Sequence, residues 1–130
     1  DGEGATKLIE VSVDGASRIA EARLVARTII TSPLVKTAVH GNDPNWGRIV
    51  AAAGRSGAEV IESKIDLYIG DICVLKGGRP QPYRELEVVE VFRRKEVPIN
   101  LNLNLGNAGA TAWGCDLSKE YVEINSKYMT

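Results

Sequence analysis

Residues 99–105 read INLNLNL, and this short stretch decides the fold. Its odd positions are all isoleucine or leucine and its even positions are all asparagine, which is the two-residue period of a strand with one buried face and one polar face. Alternating or β-rich segments predict further strands at 6–13, 65–69, 72–75 and 109–115. Such a sheet needs a second layer to cover its apolar face.

Helical periodicity lies between these strands. Helices are predicted at 17–30, 34–39, 46–53, 83–95 and 118–128, although 83–95 also contains valines that favour a strand. Ser32 and Asn45 are expected to cap the second and third helices, and Ser118 the last. The Gly-Gly pair at 77–78 predicts a hairpin turn, because glycine tolerates the positive φ of a tight turn.

The order of these elements predicts the fold class. The 130 residues have the length of one domain, and they contain no internal repeat, low-complexity segment or Pro/Gly linker. We therefore expect a single domain, 1–130, of class α+β, in which two layers are formed by helices packed on a mixed β-sheet. Asp1 stands where an initiator methionine would be, which indicates a piece of a longer protein.

Charge and cysteine content restrict the partners. With 16 basic and 17 acidic side chains the formal charge is -1, so nothing favours binding to nucleic acid or to an anionic membrane. Cys73 and Cys115 do not form a Cys-x-x-Cys motif and His40 is the only histidine, so we expect no metal site and no cofactor. Buried, reduced thiols and the absence of a signal pattern predict a cytoplasmic protein.

Two reactive side chains have both a structural and a functional interpretation. His40 follows an apolar helix, where it can bind free carbonyls at the helix end; a role as a catalytic base is the less favoured alternative. Cys115 precedes Asp116, and a neighbouring carboxylate disfavours the thiolate, so a buried thiol is favoured over a nucleophile. Arg93, Arg94 and Lys95 are interpreted as solvated surface.

The turn at 43–48, DPNWGR, combines several residues that either restrict the backbone or could bind a ligand. A rigid corner with a pair between Asp43 and Arg48 is slightly favoured. The alternative is that Arg48 or Asn45 faces a ligand carboxylate, which arginine binds with a bidentate fork. Near the N-terminus, Glu3 lies between two glycines, where a carboxylate can approach a substrate ammonium, although an acid in such a position is usually only solvated.

Four separately spaced motifs resemble one family. They are DGEGATK at 1–7, SPLVKT at 32–37, DPNWGR at 43–48, and AWGCDL at 112–117 continuing to YVEIN at 121–125. In this order they resemble ornithine acetyltransferase, also called glutamate N-acetyltransferase, of arginine biosynthesis. The resemblance covers essentially the whole chain and identifies it as the C-terminal part of the family's β chain.

The resemblance implies a self-cleaving enzyme that moves an acetyl group from N-acetylornithine to glutamate through an acetyl-threonine intermediate. Some members also accept acetyl-coenzyme A. The nucleophile is the threonine exposed by cleavage, with its new amino group as base. Thr6 and Thr111 follow alanines here, but neither has the family's cleavage sequence, so no catalytic residue is expected in this chain. The α chain and the remainder of the β chain are the implied partners, in an α2β2 or higher oligomer.

The family's substrate contacts fall on Glu3, Asn125 and Thr130. We expect Glu3 to bind an ammonium and Asn125 and Thr130 to bind a carboxylate, since a free amino acid presents both groups. The structural alternative is that the predicted helix at 121–128 only docks the C-terminus. A noncatalytic domain that binds an amino acid or aids assembly is the alternative function, and a self-cleaving aminopeptidase is a second one.

Overall fold

A computed structural model describes residues 6–117 and 121–128 and shows helices packed on one mixed sheet. The described strands are β1 (Leu8–Ala16), β2 (Asp66–Ile69), β3 (Ile72–Lys76), β4 (Arg79–Pro80), β5 (Glu96–Asn102), β6 (Ala108–Cys115) and β7 (Val122–Tyr128). The described α-helices are α1 (Ile19–Ile30), α2 (Pro33–His40), α3 (Gly47–Gly54) and α4 (Glu85–Phe92), and a short 3-10 helix spans Glu62–Lys64. The predicted α+β class is confirmed.

The sheet has the strand order β4-β3-β2-β5-β1-β6-β7. β1 runs parallel to β5 and antiparallel to β6, and the remaining neighbours are antiparallel, so the sheet is mixed as predicted. Alternation places Ile9, Val11 and Val13 of β1 on its buried face, where all three are fully shielded from solvent. The same alternation in β5 buries Ile99 and Leu101, which confirms the importance of the 99–105 stretch.

The helical layer covers this apolar face. α1 packs on β1, β6 and β7 through a buried side that includes Ala22, Val25 and Ile29, while α2 and α3 pack beside it. α4 contributes Val88 and Phe92 to the same core cluster and contacts β5. Burying these side chains is the main favourable term in folding, at roughly 1.5–3 kcal/mol for each large aliphatic residue.

Several local predictions are confirmed. Ser32 caps α2, because its hydroxyl accepts the N–H of Val35 at 3.3 Å. The Gly77-Gly78 turn joins β3 to β4 with φ values of 55° and 75°. The ambiguous 83–95 segment contains the helix α4, whose Val88 and Val91 are buried in the core.

The predicted C-terminal helix is wrong. Residues 122–128 form the strand β7, which pairs with β6 from Gly114 opposite Val122 to Ala108 opposite Tyr128. Val122 and Ile124 pack against the core while Glu123 and Asn125 are exposed, a two-residue period that fits the free edge of β6. The predicted cap Ser118 lies outside the described residues.

Smaller differences concern the ends of elements. β1 continues past Asp14 to Ala16 through an irregularity in its pairing with β6, and Gly15 permits this with a φ of 72°. β5 begins at Glu96 and ends at Asn102, and beyond its end the N–H groups of Leu103 and Leu105 still donate to the carbonyls of Asp14 and Gly15 on β1. Asn45 does not cap α3. The backbone turns between Pro44 and Trp46, and the residue at the start of the helix is Trp46, whose side chain makes no capping hydrogen bond.

Candidate functional site

Of the three predicted substrate contacts, the structure describes Asn125. It lies on the edge strand β7 and is exposed. Glu3 and Thr130 lie outside the described residues, so their meeting with Asn125 beside one ligand stays a prediction. The docking surface expected at the C-terminus exists, but it is a strand paired with β6 and not a helix.

Asn125 ends a polar row that crosses the sheet on the face opposite the helices. Register pairing places Asn125 opposite Thr111, Thr111 opposite Ser12, Ser12 opposite Asn100, and Asn100 opposite Tyr68. Directly opposed residues project from the same face of a sheet, so these five side chains share one surface. The hydroxyls of Ser12 and Thr111 lie 3.2 Å apart. The sequence predicted the strands of the other four residues and placed Asn125 in a helix, and the row itself depends on strand order.

Both residues that follow Asn125 are fixed by side-chain contacts. Ser126 accepts a hydrogen bond of 2.8 Å from a guanidinium N–H of Arg23 on α1. Lys127 lies on the other face, with its ammonium 3.2 Å from a carboxylate oxygen of Asp14 on β1. These two contacts connect β7 to α1 on one face of the sheet and to β1 on the other, directly after Asn125.

A second polar centre lies at the start of β1, where Lys7 meets Asp116. The Lys7 N–H donates to a carboxylate oxygen of Asp116 at 2.8 Å, and the Lys7 carbonyl accepts the Asp116 N–H at 3.1 Å. The Lys7 ammonium donates to the carbonyls of Val39 and Phe92 at 2.7 and 2.6 Å and to the Asn42 side-chain oxygen at 2.5 Å. One lysine thereby connects β1 to the C-terminal ends of α2 and α4.

Burial lowers the pKa of Lys7 from its ordinary value of 10.5. Desolvation is the largest cause; the negative charge of Asp116 opposes it, and the positive charge of Arg93 adds to it. The ammonium is retained in this half-buried position because carbonyls at helix C-terminal ends attract a cation.

His40 binds Asp116 and not the free helix carbonyls that the sequence suggested. Its Nδ1 donates to a carboxylate oxygen of Asp116 at 2.8 Å; the Asp116 side chain is 0% exposed and the His40 side chain 45%. A carboxylate that orients an imidazole also occurs in catalytic triads. Among the hydrogen bonds of the described residues, however, none joins the ring to a serine, threonine or cysteine, and this favours the structural role.

Sequence reasoning missed Lys7 and Asp116 as functional candidates. A signal was present, because both belong to the motifs at 1–7 and 112–117 that carry the family resemblance. Asp116 entered only as the neighbour of Cys115. Cys73 and Cys115 are free and half-buried, less shielded than the predicted buried thiols.

The side chains of the turn at 43–48 connect neighbouring elements of the structure. Arg48 donates to the Leu34 carbonyl at 2.9 Å and lies 3.9 Å from the Asp43 carboxylate, which confirms the predicted pair as a long contact. The Trp46 indole N–H donates to the Tyr83 hydroxyl at 2.5 Å. These contacts tie α3 to α2 and to the segment before α4.

An open cleft of about 460 Å³ lies at the beginning of β1 and β5. It carries both signs of charge, and Asn125 is not among the residues around it, which are Leu8, Glu10, Arg94, Lys95, Glu96, Val97 and Pro98. Within the described part of the chain, no group of three or more His, Cys, Asp or Glu side chains is arranged to hold a metal ion. None of the described helices has the length and apolarity to cross a membrane.

Comparison with known proteins agrees with this fold and these motifs. The model of the ArgJ family matches residues 1–130. The chain belongs to the ArgJ family. This confirms the resemblance to ornithine acetyltransferase that the four motifs indicated.

Individual ArgJ relatives match over the whole chain. It is 58% identical over 130 residues to the arginine biosynthesis bifunctional protein ArgJ of Dehalococcoides mccartyi (strain CBDB1), and 52% identical to that of Geobacillus kaustophilus (strain HTA426). All of the chain is covered in both comparisons, but only 32% of each relative, so the chain spans about a third of their length.

A solved ArgJ structure has the same fold. The crystal structure of the arginine biosynthesis bifunctional protein from Bacillus halodurans aligns with a TM-score of 0.84 and 50% sequence identity. The alignment covers 93% of this chain and 57% of that one. The α+β arrangement is therefore that of an ArgJ protein.

Proposed function

We propose that this chain is the C-terminal, substrate-holding part of an N-acetyltransferase that moves an acetyl group from N-acetylornithine to glutamate in arginine biosynthesis. The single observation that carries the proposal is the match of residues 1–130 to the ArgJ family. Relatives that are named arginine biosynthesis bifunctional proteins support it. A cytoplasmic location is part of the same proposal.

The chemistry would pass through an acetyl-threonine whose threonine lies in a preceding part of the protein. A threonine at a chain terminus can use its own amino group as the general base, which neither candidate in this chain can do. Thr111 lies within β6 with its hydroxyl against Ser12, and Thr6 is exposed before β1. Both remain unsuitable as nucleophiles.

The substrate contacts would be Glu3 to an ammonium and Asn125 with Thr130 to a carboxylate. The exposed position of Asn125 on β7 supports its part in this set, since a neutral amide can donate to a carboxylate without a charge of its own. A hydrogen bond to a charged group contributes about 1.5–3 kcal/mol. The α chain and the rest of the β chain, assembled as α2β2 or higher, would complete the site, and acetyl-coenzyme A is a second candidate donor.

Kinetics of the parent protein test the assignment. Asn125→Ala should lower kcat/KM for N-acetylornithine or glutamate by roughly 10- to 100-fold, because a bond to the substrate carboxylate is lost. Glu123→Gln is the matched control: Glu123 lies on the same face of β7, two residues away, and is also exposed. Equal kinetics for both variants and the parent would contradict the role of Asn125.

The reaction itself is tested by acetyl transfer in the parent protein. Release of acetyl from N-acetylornithine should depend on glutamate and yield N-acetylglutamate. The intact mass and N-terminal sequence of the β chain should reveal a terminal threonine. Binding of the amino acid without transfer, and without a terminal threonine, would contradict the enzyme and favour a noncatalytic binding domain.

A further inference from the structure

The two edges of the described sheet differ in their capacity to pair with a further strand. β4, at one edge, consists of Arg79 and Pro80, which are both exposed, and proline has no N–H to donate. β7, at the other edge, has seven residues without a proline, and its register with β6 is regular throughout. A long, regular edge strand presents unpaired N–H and C=O groups, which proteins usually block or cover. The β7 edge can therefore accept another strand, whereas the β4 edge is poorly suited to one.

The charges on β7 determine which strand it accepts. Glu123 and Lys127 project from the face of the sheet opposite the helices. Among the described residues, no hydrogen bond or ion pair engages the exposed Glu123 carboxylate. The Lys127 ammonium lies near Asp14, but its side chain is 52% exposed and an ammonium has three donors. Because like charges directly opposite each other destabilise a strand pair, β7 favours a strand with a cation opposite Glu123 and an anion opposite Lys127.

A second copy of β7 has this charge pattern when it runs antiparallel to the first. In a pair centred on Asn125, Glu123 of each copy lies opposite Lys127 of the other, so both contacts join opposite charges. Among the two-fold registers centred on a residue of β7, only this one places Glu123 opposite Lys127. A register centred on Glu123 or on Lys127 places like charges opposite each other. In the register centred on Asn125, Ile124 lies opposite Ser126 on the helix side, and no side chain changes face.

We propose that β7 joins two copies of this chain by antiparallel pairing centred on Asn125, which makes one continuous sheet. The backbone hydrogen bonds of the added strand supply the affinity, and the charges select the register. A two-fold axis at Asn125 uses the same surface of both copies, as closed dimers do. The inference deepens the proposed α2β2 assembly and rests on it. It also brings the Asn125 side chains of the two copies next to each other, with Cβ atoms about 4.5–5.5 Å apart.

Charge reversal on β7 tests the pairing in the self-cleaved parent protein. Sedimentation equilibrium measures the dissociation constant of the paired αβ units. Glu123→Lys and Lys127→Glu should each weaken the pairing by roughly 10- to 100-fold, because two contacts between opposite charges become contacts between like charges. Glu123→Gln removes only the attraction and should weaken it by less than about tenfold.

Mixing the two reversed variants supplies the complementary test. In a mixed pair, Lys at 123 of one copy faces Glu at 127 of the other, and the second contact is the native one seen from the opposite side. The mixture should therefore associate within about tenfold of the parent, although each variant alone does not. Glu87→Lys is the control with the same change of charge: Glu87 is exposed on α4, away from β7, and its reversal should leave the dissociation constant unchanged.

A disulfide provides a second measurement that requires no like-charge contact. In the double variant Glu123→Cys and Lys127→Cys, the two new cysteines of one chain lie about 13 Å apart along β7, too far for a disulfide within the chain. Opposed across the proposed axis, they are close enough to be joined when the protein is treated with oxidised glutathione. Covalent β-chain dimers should appear on a non-reducing gel for the double variant and not for either single variant, with Cys73 and Cys115 present in all of them.

The results separate this inference from the proposed acetyl transfer. Dissociation constants that do not change on reversal, a mixture that does not associate, or a folded double variant without a covalent dimer each overturn the pairing through β7. A parent protein that sediments as a single αβ unit overturns it as well. Acetyl transfer from N-acetylornithine to glutamate is measured on the same preparations. Transfer without β7 pairing overturns only this inference, whereas β7 pairing without transfer overturns only the proposed reaction.

Discussion

Lys127 and Asp14 are joined across an intervening strand: the Lys127 ammonium lies 3.2 Å from the Asp14 carboxylate, although β6 separates β7 from β1. Gly109 of β6 lies opposite Lys127 and makes this contact possible, because a Cβ there would lie 2.9 Å from an Asp14 oxygen and 3.1 Å from the Lys127 Cε. The edge strand that carries Asn125 is thus attached to the centre of the sheet as well as to its neighbour.

Gly109→Ala should destabilise the protein by about 1–2 kcal/mol, because the new methyl overpacks the site and also meets the Val13 carbonyl oxygen at 3.1 Å. Urea unfolding of the variant and the parent measures the difference. Gly54→Ala is the control: Gly54 is the last residue of α3, and a methyl added there would meet no atom within 4 Å, so this change should be neutral or stabilise by up to about 1 kcal/mol. A Gly109→Ala variant as stable as the parent would contradict the close contact.

The lowered pKa of Lys7 predicts that the stability of the protein depends on pH in the alkaline range. Its pKa is lowered on folding, so between that lowered value and 10.5 the unfolded chain holds the proton more tightly than the folded chain does. Raising the pH through this window therefore favours the folded state. The free energy of unfolding should gain a positive contribution from Lys7 as the pH approaches 10.5.

Lys7→Met isolates this contribution. The variant should be less stable by about 1–3 kcal/mol at pH 7, because the carbonyls of Val39 and Phe92 lose their donor. Unfolding free energies measured from pH 7 to 10 should show the difference between parent and variant growing with pH. A difference that shrinks on going from pH 7 to pH 10 would contradict the lowered pKa.

Thr111→Val tests whether this threonine is a nucleophile. Valine keeps the β-branched shape and removes only the hydroxyl that lies 3.2 Å from Ser12, so a loss of about 0.5–1 kcal/mol in stability is expected. Self-cleavage of the parent protein, followed by the size of its chains, should be unchanged. An uncleaved precursor that is otherwise folded would show that Thr111 takes part in the reaction.

Local signals account for what the sequence predicted well. The alternation at 99–105 and the Ser32 cap of α2 are both properties of adjacent residues, and both appear in the structure. The C-terminal helix was predicted from a capping residue and apolar side chains, whereas β7 forms because the edge of β6 offers it backbone partners. The pairing of β7 with β6 depends on the order of the strands in the sheet, and a local sequence pattern does not predict that order.

The candidate site shows the same limit. The motif at 121–125 predicts a binding role for Asn125, which stays a prediction, and the structure shows that Asn125 is exposed on β7. The pair between His40 and Asp116 joins residues 76 positions apart, and that between Lys7 and Asp116 joins residues 109 apart. Contacts at such separation follow from the packing of α2 and β1 around the end of β6, so only the fold reveals that three residues from distant parts of the chain form one cluster.

Removal of Met129 and Thr130 tests the last substrate contact. The strand β7 ends at Tyr128, and the described pairing with β6 and the contacts of Ser126 and Lys127 are made by residues that the deletion leaves in place. The parent protein without these residues should therefore unfold at an unchanged urea concentration, yet its kcat/KM should fall by roughly 10- to 100-fold because a hydroxyl donor to the substrate carboxylate is lost. Deleting Met129 and Thr130 and restoring a Gly-Thr end should recover part of the activity, whereas a Gly-Val end should not. Normal activity after the deletion would mean that the chain end only docks, and Asn125 would then have to bind the carboxylate without Thr130.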